Sequence, residues 1–213
     1  RVLIPIFYGT NGEYDLTKAF EEEGAEVVTL VYKNRTQEEL EASKLALAEE
    51  IKKSQILAIA GGAVTGDEPD GAGKYIANIL KKSEVKEAIE YLLEKNDGLI
   101  LGLGNGFQGL VKSGLLPYGE IKDQEENDMT ISFNSSGNFV SRLEEIEIKT
   151  ANSPWLKNFE ADKTYKTPIA HYDGRLVVSE AMLKELLKNG QVASVYKTAV
   201  NGSSYNIEGL VCK

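Results

Sequence analysis

Short apolar runs alternate with longer amphipathic stretches through the first half of the chain. The runs are rich in Val, Ile, Leu and Ala and predict buried strands, and helix-compatible segments lie between them. Strands that alternate with helices form parallel sheets covered on both faces. The pattern therefore predicts an α/β fold with a mostly parallel central sheet, whose strands lie at residues 1–8, 26–32, 55–60 and 99–101.

Helix boundaries follow from capping residues. Asp15 or Thr17 is predicted to cap a first helix that stops at Gly24. Thr36 with Glu39 three residues later matches a capping box, so a second helix is predicted to follow. The predicted helices after the first cover residues 37–54, 74–82 and 85–96, and a further one runs to about residue 113.

The chain changes character after Tyr118, where strand-like segments dominate. Ser179 is expected to cap the one helix of this half, which ends at Asn189-Gly190. With no proline-rich linker and no repeat, residues 1–213 are predicted to form a single domain in which these strands extend the first half. The predicted strands are 129–133, 139–149, 166–170, 174–178 and 192–198.

Composition narrows the functional classes. The net charge of −9 argues against a nucleic-acid surface, which needs clustered Lys and Arg. No apolar stretch is long enough to cross a bilayer and no signal-peptide pattern is seen, so a cytoplasmic protein without membrane partners is expected. Cys212 is the single cysteine, which excludes an internal disulfide framework and cysteine-based zinc clusters, and no metal site is expected.

The most informative segment is Gly102-Leu103-Gly104-Asn105-Gly106, directly after an apolar run. A strand, a sharp glycine turn and a helix in this order form an elbow that presents one side chain beside backbone N–H groups suited to an oxyanion. The presenting position, Gly104, has no side chain. A simple packing turn explains the glycines equally well. A dinucleotide fingerprint fits less well, because it would follow the first strand.

A second glycine-rich segment, residues 61–74, follows the third predicted strand and opens with Gly61-Gly62. Ligands of open α/β sheets bind beyond the carboxyl ends of the strands, so this segment and the elbow are predicted to face one pocket. Two ordinary turns remain the alternative. Its end, Gly71-Ala72-Gly73-Lys74, resembles a phosphate-binding loop only superficially.

The third candidate holds the only histidine. His171 and Asp173 would share one face if they lay on a strand, which permits a histidine–carboxylate pair. A histidine that orders a loop by hydrogen bonding is the favoured interpretation.

Together these segments resemble the glutaminase domain of phosphoribosylformylglycinamidine synthase, a class I glutamine amidotransferase of purine biosynthesis. The resemblance covers Val2 to about Gly209 and is closest to the C-terminal region of the large single-chain form, so the chain is expected to be part of a larger synthetase. The motifs that carry it are Gly9-Thr10-Asn11-Gly12-Glu13-Tyr14-Asp15, Gly66-Asp67-Glu68-Pro69-Asp70-Gly71, Leu101-Gly102-Leu103-Gly104-Asn105-Gly106-Phe107-Gln108, Gly114-Leu115-Leu116-Pro117-Tyr118-Gly119-Glu120, Ser153-Pro154-Trp155 and Asn189-Gly190-Gln191.

The resemblance implies a flavodoxin-like sandwich that hydrolyses glutamine and passes ammonia to a synthetase, a domain or subunit of the same pathway. It implies no cofactor in this domain, and ATP and Mg²⁺ only in the synthetase. Position 104 would carry the nucleophile. The N–H groups of Asn105 and of Gly61 or Gly62 would hold the oxyanion, and Phe107 and Gln108 would shape the pocket.

Departures from the family change the expected activity. The family has cysteine where this chain has Gly104, and usually also where it has Gly12. The family's catalytic His-x-Glu lies beyond Ile207-Glu208-Gly209, and this sequence ends at Lys213 before that motif. As written, the chain is predicted to be inactive as a glutaminase.

Three hypotheses result: an altered glutaminase domain, a non-catalytic relative that docks on a synthetase or binds glutamine, and a flavodoxin-like module for another small ligand.

Overall fold

Two compact units make up the chain in the computed structural model, which describes residues 1–64 and 72–212. Unit 1 covers Arg1–Ser113 and unit 2 covers Gly114–Lys213. Unit 1 has the predicted parallel sheet, whose strands are β1 (Val2–Ile6), β3 (Val27–Val31), β4 (Ile56–Ile59) and β6 (Leu99–Gly102). Their order in the sheet is β3-β1-β4-β6. This order places the first strand inside the sheet, as in flavodoxin-like folds.

Helices and a small ladder complete unit 1. The two-residue strands β2 (Thr10–Asn11) and β5 (Gly61–Gly62) pair antiparallel beyond the ends of β1 and β4. The helices are α1 (Glu13–Glu22), α2 (Gln37–Lys52), α3 (Lys74–Leu80), α4 (Ser83–Glu94) and α5 (Asn105–Ser113).

The core of unit 1 lies around its central strands. Val2 and Ile4 of β1 and Ala58 of β4 are buried and pack with Leu16 of α1. Removing such apolar surface from water is the main stabilising contribution of a sheet covered by helices. The connections that leave β1, β4 and β6 are thereby fixed at one edge of the sheet.

Helix starts were predicted with mixed success. One of the two hydrogen bonds of the predicted capping box of α2 is confirmed: the Thr36 hydroxyl accepts from the Glu39 N–H at 3.1 Å. The start of α1 at Asp15 or Thr17 was wrong. The helix begins at Glu13, after Gly12 in the left-handed conformation, and no side chain caps it. A glycine at this position gives no capping signal in the sequence.

Unit 2 is rich in antiparallel strands, as predicted. One sheet has the order β12-β11-β8-β9, and β7 pairs with β10 in a second ladder. The short α6 (Leu115–Tyr118) opens the unit, α7 (Glu180–Lys188) begins after its predicted cap Ser179, and a 3-10 helix covers Ser204–Asn206. The strands are β7 (Thr130–Ser132), β8 (Val140–Ile148), β9 (Thr164–His171), β10 (Arg175–Val177), β11 (Val192–Tyr196) and β12 (Ile207–Leu210).

The carboxyl group of Glu208 makes the stability of unit 2 depend on pH. It is largely removed from solvent, accepts a hydrogen bond from the Ser194 hydroxyl, and its burial raises its pKa above the usual 4.5. The folded state therefore holds this proton more tightly than the unfolded state, so the contribution to stability is complete below pH 4.5 and is lost as pH rises through the folded-state pKa.

We expect Glu208→Gln to be more stable than the wild-type chain near neutral pH, and its stability to vary less with pH. Urea unfolding between pH 4 and pH 8 measures the difference. The exposed Glu145 provides the control, since Glu145→Gln should leave the pH profile unchanged. Parallel profiles for Glu208→Gln and the wild-type chain would contradict the expectation.

Candidate functional site

The candidate site lies at the carboxyl edge of the parallel sheet of unit 1, where three connections leave β1, β4 and β6. Ligand sites of open α/β sheets are found at this edge. Residues 61–64 and 102–108, the described residues that directly follow β4 and β6, contain no ionisable side chain, whereas Asp67, Glu68 and Asp70 of the first of these connections lie outside the described residues. The described residues of these two connections therefore offer a ligand backbone N–H and carbonyl groups.

The third connection contains the predicted elbow. β6 ends at Gly102, Gly104 adopts φ +51°, and α5 begins at Asn105. Hydrogen bonds hold the turn in place, from the Leu103 N–H to the Ile59 carbonyl at 3.0 Å and from the Gln108 N–H to the Gly104 carbonyl at 3.1 Å. A left-handed residue between a strand and a helix is the geometry of a nucleophile elbow.

The two predicted glycine segments lie next to each other. A Cβ atom built on Gly61 would lie 3.5 Å from the Leu103 carbonyl oxygen and 3.9 Å from the Asn105 nitrogen. Gly61 is also opposite Asn11 in the β2–β5 ladder, so all three connections meet here. We call this place the glycine corner and define it by residues 9–12, 61–62 and 103–105.

Close packing requires glycine at several neighbouring positions. A Cβ atom at any of them would lie within 3.0 Å of another heavy atom, in most cases of the backbone. Gly73, for example, lies against Gln108 of α5, directly before α3. This glycine of the Gly71-Ala72-Gly73-Lys74 segment therefore allows α3 and α5 to pack closely. The positions closed in this way are Gly9, Gly62, Gly73, Gly102, Gly106 and Gly109.

Gly104 and Gly12 differ from these closed positions. A Cβ atom on Gly104 would meet only Gly61 Cα, at 3.4 Å, among the described residues, and one on Gly12 would meet nothing within 4 Å. A side chain therefore fits at both positions, although their φ values of +51° and +87° strain any residue other than glycine. The resemblance implies a cysteine at position 104 in the family, and usually one at position 12 as well.

The remaining residues predicted for the pocket occupy the first turn of α5. Asn105 and Gln108 are buried, and the Asn105 side-chain amide donates to the Gln108 side-chain oxygen at 2.8 Å. Phe107 is half-buried. Their roles in holding an oxyanion or shaping a pocket stay predictions.

An aromatic cluster beside the first connection was not predicted. Phe7, just after β1, packs on Tyr32 and Tyr75 with ring centroids 5.5 and 6.1 Å apart. Burial raises the pKa of Tyr32 to about 12, so its hydroxyl stays protonated. The sequence signal was an aromatic residue directly after each of two neighbouring strands, at Phe7 and Tyr32.

His171 is the last residue of β9 in unit 2, and Asp173 comes after it in the turn rather than on the strand. The His171 Nδ1 lies 3.0 Å from the Asn134 side-chain oxygen. The Asn134 amide nitrogen donates to two carbonyls, which leaves its oxygen as the acceptor and places the histidine proton on Nδ1. Burial lowers the pKa of His171, while Asp173 raises it less. His171 thus orders two loops through Asn134.

Other features of the chain bear on the site. The motif Gly66-Asp67-Glu68-Pro69-Asp70-Gly71 lies outside the described residues. Within residues 1–64 and 72–212, no group of three His, Cys, Asp or Glu side chains is placed to hold a metal ion. No helix in that same part of the chain is both long and apolar enough to cross a membrane.

Comparison with known proteins extends the picture beyond geometry. The family model described as a CobB/CobQ-like glutamine amidotransferase domain matches residues 1–212. Phosphoribosylformylglycinamidine synthase subunit PurQ of Sulfurimonas denitrificans is 32% identical over 99% of this chain and 80% of the relative. The corresponding subunit of Dehalococcoides mccartyi is 34% identical over 95% of this chain and 75% of the relative.

Solved structures agree on the fold. The PurLQS structure from Thermotoga maritima contains a chain that matches with a TM-score of 0.69 and 22% identity, over 99% of this chain and 84% of that one. The CTPS glutaminase domain of Trypanosoma brucei with bound acivicin matches with a TM-score of 0.54 and 11% identity, over 92% of this chain and 74% of that one. Because the family model matches residues 1–212, the chain belongs to the family of CobB/CobQ-like glutamine amidotransferase domains.

Proposed function

We propose that this domain binds glutamine at the glycine corner and, without hydrolysing it, takes the place of the glutaminase component in formylglycinamidine ribonucleotide synthesis. Its relatives in Sulfurimonas denitrificans and Dehalococcoides mccartyi are named as subunits of phosphoribosylformylglycinamidine synthase, and the similarity extends over nearly the whole chain. The proposal assigns glutamine as the ligand and a synthetase, as a separate subunit or a linked domain, as the partner.

The observation that carries the proposal is the contact between Gly61 and the elbow at Gly104. It places a turn from β4 beside the first residues of α5, whose N-terminal N–H groups bear partial positive charge. Backbone N–H groups fixed in this way suit the carbonyl oxygen of a carboxamide, and they favour it further when it gains negative charge. The N–H groups of Asn105 and of Gly61 or Gly62 are the proposed donors.

Gly104 limits the chemistry that is possible once glutamine is bound. Glutamine hydrolysis in this class begins with attack by a thiolate on the side-chain amide, which forms a thioester and releases ammonia. Gly104 supplies no attacking atom. Residues 61–64 and 102–108 contain no basic side chain that could activate a water molecule. The proposed role is therefore glutamine binding without the thioester step.

We expect the wild-type chain to release no more ammonia from glutamine than buffer does, and Gly104→Cys to be alkylated by acivicin. A thiol at the start of α5 gains thiolate character from the helix N-terminus, and acivicin loses chloride when the sulfur attacks it. Intact-protein mass spectrometry detects the adduct. Acivicin is the ligand bound in the related Trypanosoma brucei domain.

Gly24→Cys is the matched control, because position 24 is open and strained like position 104 but lies outside the glycine corner. It should react with a general thiol reagent at an ordinary rate and show no preference for acivicin. Equal acivicin labelling of the two variants, with no protection of Gly104→Cys by glutamine, would refute glutamine binding at the glycine corner. Ammonia release by the wild-type chain would refute the proposal that the chain binds glutamine without hydrolysing it.

The partner assignment is tested separately. ATP and Mg²⁺ are proposed to belong to the synthetase and not to this domain. Sedimentation of the chain mixed with a purine-pathway synthetase, in the presence of ATP, Mg²⁺ and glutamine, is expected to show a complex. Separate sedimentation under all of these conditions would contradict the assignment.

A second candidate function is docking without glutamine recognition, which the glycine at position 104 also favours. In that case the chain would raise the activity of the synthetase with free ammonia, and isothermal titration with glutamine would give no heat. Heat on titration would favour the first proposal.

A further inference from the structure

We propose that the glycine corner prefers amino acids whose side chain ends in a tetrahedral sulfur centre, as in methionine sulfone, over glutamine with its planar amide. This inference rests on the proposed function, because it takes the glycine corner as the site for a glutamine-like amino acid. It assigns a ligand class on the basis of the glycine at position 104.

The first step is steric. Six neighbouring glycines are closed to any Cβ atom, whereas Gly104 has open space in which Gly61 Cα, at 3.4 Å, is the only described neighbour within 4 Å. Among the described residues, the elbow is thus tightly packed at Gly102 and Gly106 and open at Gly104 between them. In an elbow, that position faces the carbonyl carbon of the bound acyl group.

The second step concerns the shape of the ligand. The side-chain carbon of glutamine has three substituents in one plane, and none of them points above the plane toward Gly104. The sulfur of methionine sulfone stands at the same distance along the chain and has four substituents. The chain carbon and one oxygen match glutamine, the second oxygen replaces the amide nitrogen, and the methyl group points toward residue 104.

The third step is energetic. Atoms that line an open space lack contacts on one side, so filling that space with one methyl group or oxygen adds contacts without displacing a side chain. Burial of one such group corresponds to roughly fivefold tighter binding.

The test is isothermal titration of the full chain with glutamine, L-methionine sulfone and L-methionine, the last having the same length but no oxygens on sulfur. We expect the sulfone to bind about fivefold more tightly than glutamine, and methionine to bind most weakly. Gly104→Ala places a methyl group in the open space, so it should remove the preference for the sulfone and keep binding of glutamine. Gly24→Ala shares the left-handed strain, with φ +83°, lies outside the glycine corner and should keep the preference.

Outcomes separate this inference from the function on which it rests. Glutamine binding equal to or tighter than sulfone binding in the wild-type chain, or a sulfone preference that survives Gly104→Ala, overturns the inference and leaves the proposed function in place. Absence of heat with both ligands overturns the proposed function. If Gly104→Ala does not fold, NMR of the wild-type chain decides: a nuclear Overhauser contact between the sulfone methyl and Gly61 Hα is expected, and its absence with bound ligand overturns the inference.

Discussion

Replacing Gly106 with alanine is expected to lower the free energy of unfolding by about 3 kcal/mol or more, at the upper end of what overpacking a core costs. The added methyl group would lie 2.8 Å from the Ile59 carbonyl carbon and 3.0 Å from the Ala60 carbonyl oxygen. Both atoms belong to the backbone at the end of β4, so no side chain can rotate away. Accommodation requires α5 to move off the sheet.

Urea unfolding followed by far-UV circular dichroism measures this loss, since α5 and its neighbours contribute to the helical signal. Gly104→Ala is the matched control, because it lies two residues away and its Cβ atom meets no atom of residues 1–64 or 72–212 closer than 3.4 Å. It should cost only the strain of a left-handed alanine, about 1 kcal/mol. Similar losses for both variants would show that tight packing at Gly106 does not hold the elbow.

Asn134→Ala is expected to destabilise unit 2 by about 3 kcal/mol, because it leaves several buried polar groups without partners. Asn134 is fully buried, and its side-chain nitrogen donates to the carbonyls of Asn138 and His171 at 2.9 and 3.0 Å. Its oxygen accepts from the His171 ring and, at 3.4 Å, from the Gly174 N–H. One side chain therefore joins the β7–β8 loop to the β9–β10 turn.

Trp155, the only tryptophan, lies in unit 2, so its fluorescence during urea unfolding reports the effect. Asn138→Ala is the control, since that exposed side chain bonds only locally, to the Ser136 carbonyl at 2.9 Å. It should change stability by about 0.5 kcal/mol or less. A comparable loss in both variants would show that the buried amide of Asn134 has no special part in joining the loops.

Sequence patterns predicted the parts of the fold that local physics dictates. The strands of the parallel sheet are strongly apolar runs, and the structure contains the predicted alternation of strands and helices. The ladder formed by Thr10–Asn11 and Gly61–Gly62 was missed, because two residues carry no periodicity. Strand β12 was missed for a related reason, since Glu208 and Gly209 weaken its β-strand signal.

At the candidate site, too, features set by nearby residues were predictable from the sequence, whereas features set by residues far apart in the sequence were not. The contact of Gly61 with the elbow was predicted from the rule that strand ends meet at one sheet edge. Which glycines are closed to a side chain was not predictable, because closure at Gly106 depends on the Ile59 carbonyl, 47 positions earlier. The Asn134–His171 hydrogen bond, between residues 37 positions apart, likewise left no sequence signal.

The composition of the glycine corner has a consequence for how such domains diverge. Recognition groups that belong to the main chain are inherited with the path of the backbone and persist while amino acids are exchanged around them. If a side chain at position 104 supplied the reacting atom in an ancestor, its loss would remove that chemistry in one step and leave the Leu103–Asn105 turn and Gly61 where they are. A site built from the main chain can therefore keep its ligand after its chemistry is gone, without passing through an unfolded intermediate.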